Sequence, residues 1–151
     1  KKINKKLIIK KITLIESFYK QRLRLKPKIA VLGLNPHCET NDNISEEKDI
    51  IIPSIKLLKK KKLNVTGPFS ADTFFLKSNL NNYNLIIGMY HDQVLTPIKT
   101  LFDFNAINIT VGLPFVRISP DHGPNEKMVG KGISSSKSLE KALDFFRFLN
   151  D

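Results

Sequence analysis

Leu85-Ile86-Ile87-Gly88-Met89-Tyr90-His91-Asp92-Gln93 decides how the rest of this 151-residue chain is read. Three apolar residues form a buried strand, and the glycine ends it. A histidine, an acid and an amide then arrive where the strand leaves its sheet. Val94, Leu95, Ile98 and Lys99 follow at near-helical spacing. Strand, turn and helix in that order are the unit of an α/β fold. In open α/β sheets ligands bind beyond the carboxyl ends of the strands. His91 and Asp92 therefore make a candidate metal ligand with a neighbouring acid.

Working outward, Lys28 to Leu34 is a short apolar run with β-branched residues, read as a second buried strand in a parallel sheet. Asn35-Pro36-His37 ends it, and Cys38 to Asn43 is a polar loop. Upstream, Ile12, Leu14, Ile15, Phe18, Tyr19 and Leu23 predict an amphipathic helix over 12–25, ending before Pro27. A further helix is expected from Ser45 through Leu58, with Glu46 and Glu47 at its positive end and Pro53 marking a kink or break. Leu63-Asn64-Val65 reads as a strand, Thr66-Gly67-Pro68 as a turn, and Ser70 or Asp72 as a helix cap. Ala106 to Val111 alternates as a strand, and Phe115 to Ser119 resumes an extended segment. Pro120 to Gly132 is a loop. Ser138 to Leu149 closes as a helix, with Leu139, Leu143, Phe146 and Leu149 on one face. No repeat or domain linker is visible, so residues 1–151 read as a single α/β region.

Composition bounds the class. Apolar residues make up 41% and aromatics 9%, which suits a packed domain. No apolar run approaches the roughly 20 residues of a membrane helix, and no signal peptide is read. Cys38 is the one cysteine, so no internal disulfide is possible. That is consistent with a reducing cytoplasm. The net charge of +11 sits in short lysine-rich runs. It is compatible with a phosphorylated or nucleic-acid partner, but a solvated lysine-rich surface is the more ordinary reading. Aromatics are not interleaved with these runs, which disfavours a single-strand binder. The chain opens on Lys1 rather than Met and is read as a piece of a longer protein.

Few residues could carry chemistry. His37 and His91 each follow a strand, and imidazole is a common ligand for transition metals. On spacing alone the more ordinary reading of each is a surface or core histidine held by a backbone bond. Asp72 and Asp92 could ligate metal, orient a histidine or act as a base, and Asp72 is as good a helix cap. Lys99 and Arg117 suit an anionic substrate. Asn108 lies within a strand, where an amide needs a partner. His122 sits in a turn. Neither a Gly-x-Gly-x-x-Gly nor a Walker pattern is present, so a Rossmann domain is unsupported.

Taken in order, the stretches cease to be independent. They are Gly33-Leu34-Asn35-Pro36-His37, Glu46-Glu47, Ile51-Ile52-Pro53, Gly67-Pro68-Phe69-Ser70-Ala71-Asp72-Thr73-Phe74, Gly88 to Gln93, Lys99, Asn108 to Arg117, and Asp121-His122-Gly123. From about Lys28 onward this resembles the C-terminal half of the 4-hydroxythreonine-4-phosphate dehydrogenases of pyridoxal phosphate biosynthesis. The resemblance implies an α/β fold like that of isocitrate and isopropylmalate dehydrogenase, as a fragment of a larger two-domain subunit whose N-terminal half is absent here. It implies NAD- or NADP-linked oxidation and decarboxylation of 4-phosphooxy-L-threonine to 3-amino-2-oxopropyl phosphate. It also implies a homodimer in the cytoplasm, with a divalent metal (zinc, magnesium or cobalt) at the interface.

Three histidines hold that metal in the family, and His37 and His91 fall on two of those positions. Lys99, Asn108 and Arg117 fall on substrate-binding positions. Asp92 and Asp72 are the candidate catalytic acids. His122, Gly123 and Asn125 are candidates for the cofactor loop. Two stretches depart from the family pattern: Cys38 to Asn43 replaces a glycine-rich run, and Pro124-Asn125-Glu126-Lys127 follows Asp121-His122-Gly123 where the family commonly has Asp-His-Gly-Thr-Ala. Without the third histidine, these residues alone are expected to bind metal weakly and not to turn over. The alternatives are a dehydrogenase of another phosphorylated four-carbon hydroxy acid (threonate or erythronate phosphate) and a non-catalytic basic binding fragment. Neither nucleic acid nor membrane is expected as a partner.

Overall fold

A computed structural model describes residues 3–39, 44–121, 123 and 126–149. The chain divides into two compact units, Lys1–Leu95 and Thr96–Asp151.

The first unit is built around β1 (Ile29–Leu32), whose four residues are fully buried. It lies between β2 (Val65–Phe69) and β3 (Leu85–Ile87), and both neighbours run parallel to it. Alternate residues of a strand face opposite sides of the sheet, and the core divides accordingly. Ile29 and Val31 pack with Ile8, Ile12, Ile51, Ile55, Leu58 and Val65. Ala30 and Leu32 pack with Phe74, around which Phe69 and Tyr83 place their rings at 5.1 and 5.6 Å. The apolar run at 28–34 thus contains a buried parallel strand, Ile29–Leu32, as its composition predicts. β3 is only half-buried, because it is an edge of its sheet.

Helix α1 (Lys5–Arg22) covers the first of these faces through Ile8, Ile12 and Glu16, at intervals of one turn. It starts at Lys5 rather than Ile12. Asn4 caps it, accepting the Leu7 amide at 2.9 Å, and the lysines of this first stretch hide its periodicity. The helix expected from Ser45 forms in two pieces, a π-helical turn (Glu47–Ile51) and α2 (Ile52–Lys60). Pro53 falls in the first turn of α2, where a missing N–H costs little. Thr66-Gly67-Pro68 is not a turn. It lies inside β2, with a cis Gly67–Pro68 bond. Gly67 has φ +140°, and a Cβ there would stand 2.3 Å from the Val31 carbonyl oxygen. Its role is close approach of β2 to β1, not chain reversal. Two short helices follow, α3 (Ala71–Phe74) and α4 (Lys77–Leu80), the second of which the sequence does not signal.

Helix α5 (His91–Phe102) begins in the first unit and ends in the second. In the second unit β4 (Ile107–Thr110) and β5 (Arg117–Pro120) form an antiparallel pair, with Ile109 opposite Ile118. Helix α6 (Lys137–Phe148) packs on them through Ser138 and Ala142. The Ser138 hydroxyl accepts the Asp121 amide at 2.8 Å and donates to the Ala106 carbonyl at 2.5 Å. The apolar face read from the sequence is not the one that meets the strands: Leu139, Leu143 and Phe146 are 50%, 51% and 54% exposed. Hydroxyl bonding and a small alanine, rather than the leucine stripe, decide which side of α6 meets the strands. No described helix is long and apolar enough to cross a membrane.

Candidate functional site

In the first unit, the ends of β1 and β3 set the site. His37 lies five residues beyond β1 and His91 four beyond β3, at the carboxyl ends of neighbouring parallel strands. The Asn35-Pro36-His37 corner is held locally. Asn35 Oδ1 accepts the His37 amide at 2.9 Å, and the Cys38 amide donates to the Asn35 carbonyl at 3.1 Å. This is the amide side chain bonding its own backbone two residues on.

Each imidazole faces an acid. His91 Nδ1 is 2.7 Å from Asp92 Oδ1, and His37 Nδ1 is 3.9 Å from Asp72 Oδ2. All four side chains are exposed by about half or more. At 2.7 Å the Asp92 carboxylate is within hydrogen-bond reach of His91 Nδ1, which leaves Nε2 outward as behind a metal-bound histidine, whereas Asp72 at 3.9 Å is in ion-pair range of His37 only. The donor chemistry of these two residues therefore fits a borderline divalent metal. Among the described residues no group of three His, Cys, Asp or Glu side chains is placed to hold an ion. His37 and His91 fit as part of a ligand set and do not close one. Cys38 adds nothing to it: burial, with Glu47 nearby, pushes its thiol up, and a protonated thiol is a poor ligand.

Asp72 sits in the first turn of α3, next to its N-cap, Ser70. The Ser70 hydroxyl makes no capping bond. It lies against two acceptors, Asp72 Oδ1 at 2.5 Å and the Pro36 carbonyl, and so ties α3 to the His37 corner. Chiefly through the Ser70 hydrogen bond, the Asp72 carboxyl is held below its ordinary range; Thr73 and the His37 ring act in the same direction. Such a depressed group stabilises the fold above its unfolded-state pKa, and that contribution fades as pH falls through the folded value. In an NMR titration, Asp72 is expected to protonate below the ordinary aspartate range, and Ser70→Ala to move it upward. An unmoved titration in Ser70→Ala would remove the hydroxyl as the cause.

In the second unit, Lys99 of α5 pairs with Asp121 (Nζ to Oδ2 2.9 Å) and also donates to the Asp121 carbonyl. Asn108 is exposed on β4. Arg117 opens β5, and its guanidinium donates to Thr110 Oγ1 at 3.1 Å. Gly123 is exposed. His122 and Asn125 lie outside the described residues.

Two residues that the sequence places near the site have partners that the sequence does not show. Glu47 is 1% exposed, and its Oε1 accepts the amides of both Leu34 and Asn35 at 2.7 Å. Gln93 is 6% exposed; it donates to the Gly33 carbonyl and accepts the Met89 amide, both at 2.7 Å. Glu47 reads as a first-turn acid and Gln93 as an amide at the end of a strand, and no local pattern reveals a backbone partner 12 or 60 residues away.

Comparison with known proteins follows the same outline. Residues 1–146 match the family described as pyridoxal phosphate biosynthetic protein PdxA. The 4-hydroxythreonine-4-phosphate dehydrogenase of Sulfurihydrogenibium sp. (strain YO3AOP1) is 44% identical over 144 residues, covering 94% of this chain and 44% of its own. A protein of Oceanobacillus iheyensis that carries the name D-threonate 4-phosphate dehydrogenase is 44% identical over 119 residues, covering 78% of this chain and 36% of its own. The crystal structure of the Klebsiella pneumoniae 4-hydroxythreonine-4-phosphate dehydrogenase superposes with a TM-score of 0.81 at 33% identity, over 99% of this chain and 46% of that one. The chain thus spans less than half the length of the relatives it matches. A family match along nearly the whole sequence, with the same small parallel sheet and flanking helices, settles the kinship: the chain belongs to the PdxA family of pyridoxal phosphate biosynthesis.

Proposed function

We propose that this chain is the C-terminal part of a 4-hydroxythreonine-4-phosphate dehydrogenase. That enzyme oxidises 4-phosphooxy-L-threonine with NAD or NADP, and the keto acid loses carbon dioxide to give 3-amino-2-oxopropyl phosphate. The observation that carries the reading is the pair His37 and His91 at the ends of adjacent parallel strands, each ring facing an acid. His37 and His91 are two of three ligands to a divalent zinc, magnesium or cobalt ion. The third comes from the N-terminal part, and the site is shared across a homodimer in the cytoplasm. The architecture is that of isocitrate and isopropylmalate dehydrogenase, with residues 1–151 one α/β portion of a two-domain subunit.

Such a metal, when bound, lowers the pKa of the substrate hydroxyl and stabilises negative charge as carbon dioxide leaves. The chain's own residues do the rest. Asp92 orients the His91 ring. Asp72, an acid held below its ordinary range, is a weak proton acceptor and serves to orient His37 and to keep negative charge beside it. Lys99 and Arg117 are cations for phosphate and carboxylate, and Asn108 offers an amide to the substrate. His122, Gly123 and Asn125 are the candidates for contact with the NAD or NADP cofactor.

A second reading has one specific support, the Oceanobacillus relative: the substrate is D-threonate or erythronate phosphate. The two separate on turnover. NADH or NADPH formation by the family-length protein is expected with 4-phosphooxy-L-threonine and to be at least tenfold slower with D-threonate 4-phosphate. The reverse order would select the second reading, and activity on neither would sink both. The 151 residues alone are expected to give no steady turnover.

A further inference from the structure

Glu47 and Gln93 are buried polar side chains that bond the backbone just before the histidines, between β1 and His37 and between β3 and His91 at the start of α5. Gly33, Leu34 and Asn35 connect β1 to His37, and each presents a backbone group that strand pairing leaves over. Gln93 Nε2 donates to the Gly33 carbonyl at 2.7 Å, and Glu47 Oε1 accepts both the Leu34 and the Asn35 amide at 2.7 Å. On the other loop, Gln93 Oε1 accepts the amide of Met89, between β3 and His91, at 2.7 Å. One side chain therefore bonds both loops. Gly33 has no room for a side chain here: a Cβ would stand 2.5 Å from Cys38 Sγ and 3.1 Å from Glu47 Oε1. Ser45 Oγ, 3.3 Å from Glu47 Oε2, supports the second carboxylate oxygen.

We infer that Glu47 and Gln93 are positioning residues that clamp the His37 and His91 loops at a fixed separation, so that both imidazoles meet one divalent cation. The inference rests on the reading of His37 and His91 as ligands. Neither clamp residue touches the cation. Two exposed rings on separate loops lose binding if each loop wanders, and two bonds from one buried amide remove that freedom.

The test uses the 151-residue chain with Co²⁺ alone as the probe, followed by NMR broadening of the two histidine ring resonances. In the unaltered chain both rings are expected to broaden together as Co²⁺ is added. Gln93→Leu removes both bonds. It is expected to raise the Co²⁺ concentration needed at least tenfold and to separate the two rings' responses, with the far-UV circular dichroism unchanged. Glu47→Gln keeps an oxygen for the two amides and is expected to stay within about threefold of the parent; Glu47→Leu removes it and should match Gln93→Leu.

If Gln93→Leu and Glu47→Leu leave both rings broadening together at the parent concentration, the clamp is wrong. It is equally wrong if Glu47→Gln is as damaging as Glu47→Leu, since charge rather than bonding would then be at work. If Gln93→Leu loses its circular dichroism, Glu47→Leu against Glu47→Gln decides on the same readout. His91→Ala separates the two levels. Should it leave Co²⁺ broadening of His37 unchanged, the ligand reading fails and the clamp with it. Should it abolish joint capture while the clamp variants do not, the clamp alone fails.

Discussion

His91→Ala is expected to lower NAD(P)H production by the family-length protein about 10³-fold or more and to strip its divalent metal. A bound cation supplies several kcal/mol of charge stabilisation in such a reaction, and about 4 kcal/mol corresponds to that factor. The same change should barely alter folding. The His91 side chain is 76% exposed, and its ion-pair geometry with Asp92 is a surface contact of little energetic worth. Activity falling with stability intact is therefore the signature sought. It is read from steady-state rates, metal content and a denaturation curve on the same preparation. If metal content and turnover both survive, His91 is a surface histidine and the proposed site is wrong. His37→Ala should behave alike, since His37 stands at the neighbouring strand's end and is similarly exposed, with Asp72 3.9 Å from its ring.

Gly67→Ala should do the opposite, costing about 3 kcal/mol of folding stability. The backbone at Gly67 has φ +140°, a region L-residues rarely adopt. The added methyl would also meet the Val31 carbonyl oxygen at 2.3 Å, in the middle of the central strand. Relief requires β2 to move off β1, and β1 is fully buried between two neighbours. A lowered midpoint in urea with little change in slope would be the result. A midpoint equal to the parent's would mean that β2 yields without cost and that the close approach does not need glycine.

These two positions also mark what the sequence can and cannot reveal. His91 is legible because an apolar run, a glycine and a helical pattern are all local signals, and they bracket it. The Lys28 to Leu34 run is legible for the same reason. Gly67-Pro68 misleads because glycine next to proline is a strong local turn signal. The reason for the glycine lies in the Val31 carbonyl of another strand. The start of α1 is obscured by lysines that leave Ile8 and Ile12 as its only fully committed apolar positions. On α6 the leucine stripe is visible, but which face meets the strands depends on Ser138 finding the Asp121 amide and the Ala106 carbonyl.

For the site, residue types and their order along the chain are enough to nominate the histidines, the acids and the cations. Their immediate partners are legible only where they adjoin in sequence, as in His91-Asp92. Asp72 beside His37, and the long-range bonds of Glu47 and Gln93, exist only once the chain is folded.

The apolar side chains left uncovered on the second unit bear on how the polypeptide behaves in a tube. Phe102, Phe115, Val129, Ile133, Leu139, Leu143 and Phe148 are between 50% and 79% exposed, all within 96–151. Against that sticky area stands a net charge of +11, which makes molecules repel one another in dilute buffer. Added salt shortens the reach of that repulsion to about 8 Å at physiological ionic strength, while apolar attraction is untouched. Colloidal stability therefore rests on charge alone, and the polypeptide handled by itself keeps best in low-salt buffer well below its isoelectric point of about 9.8.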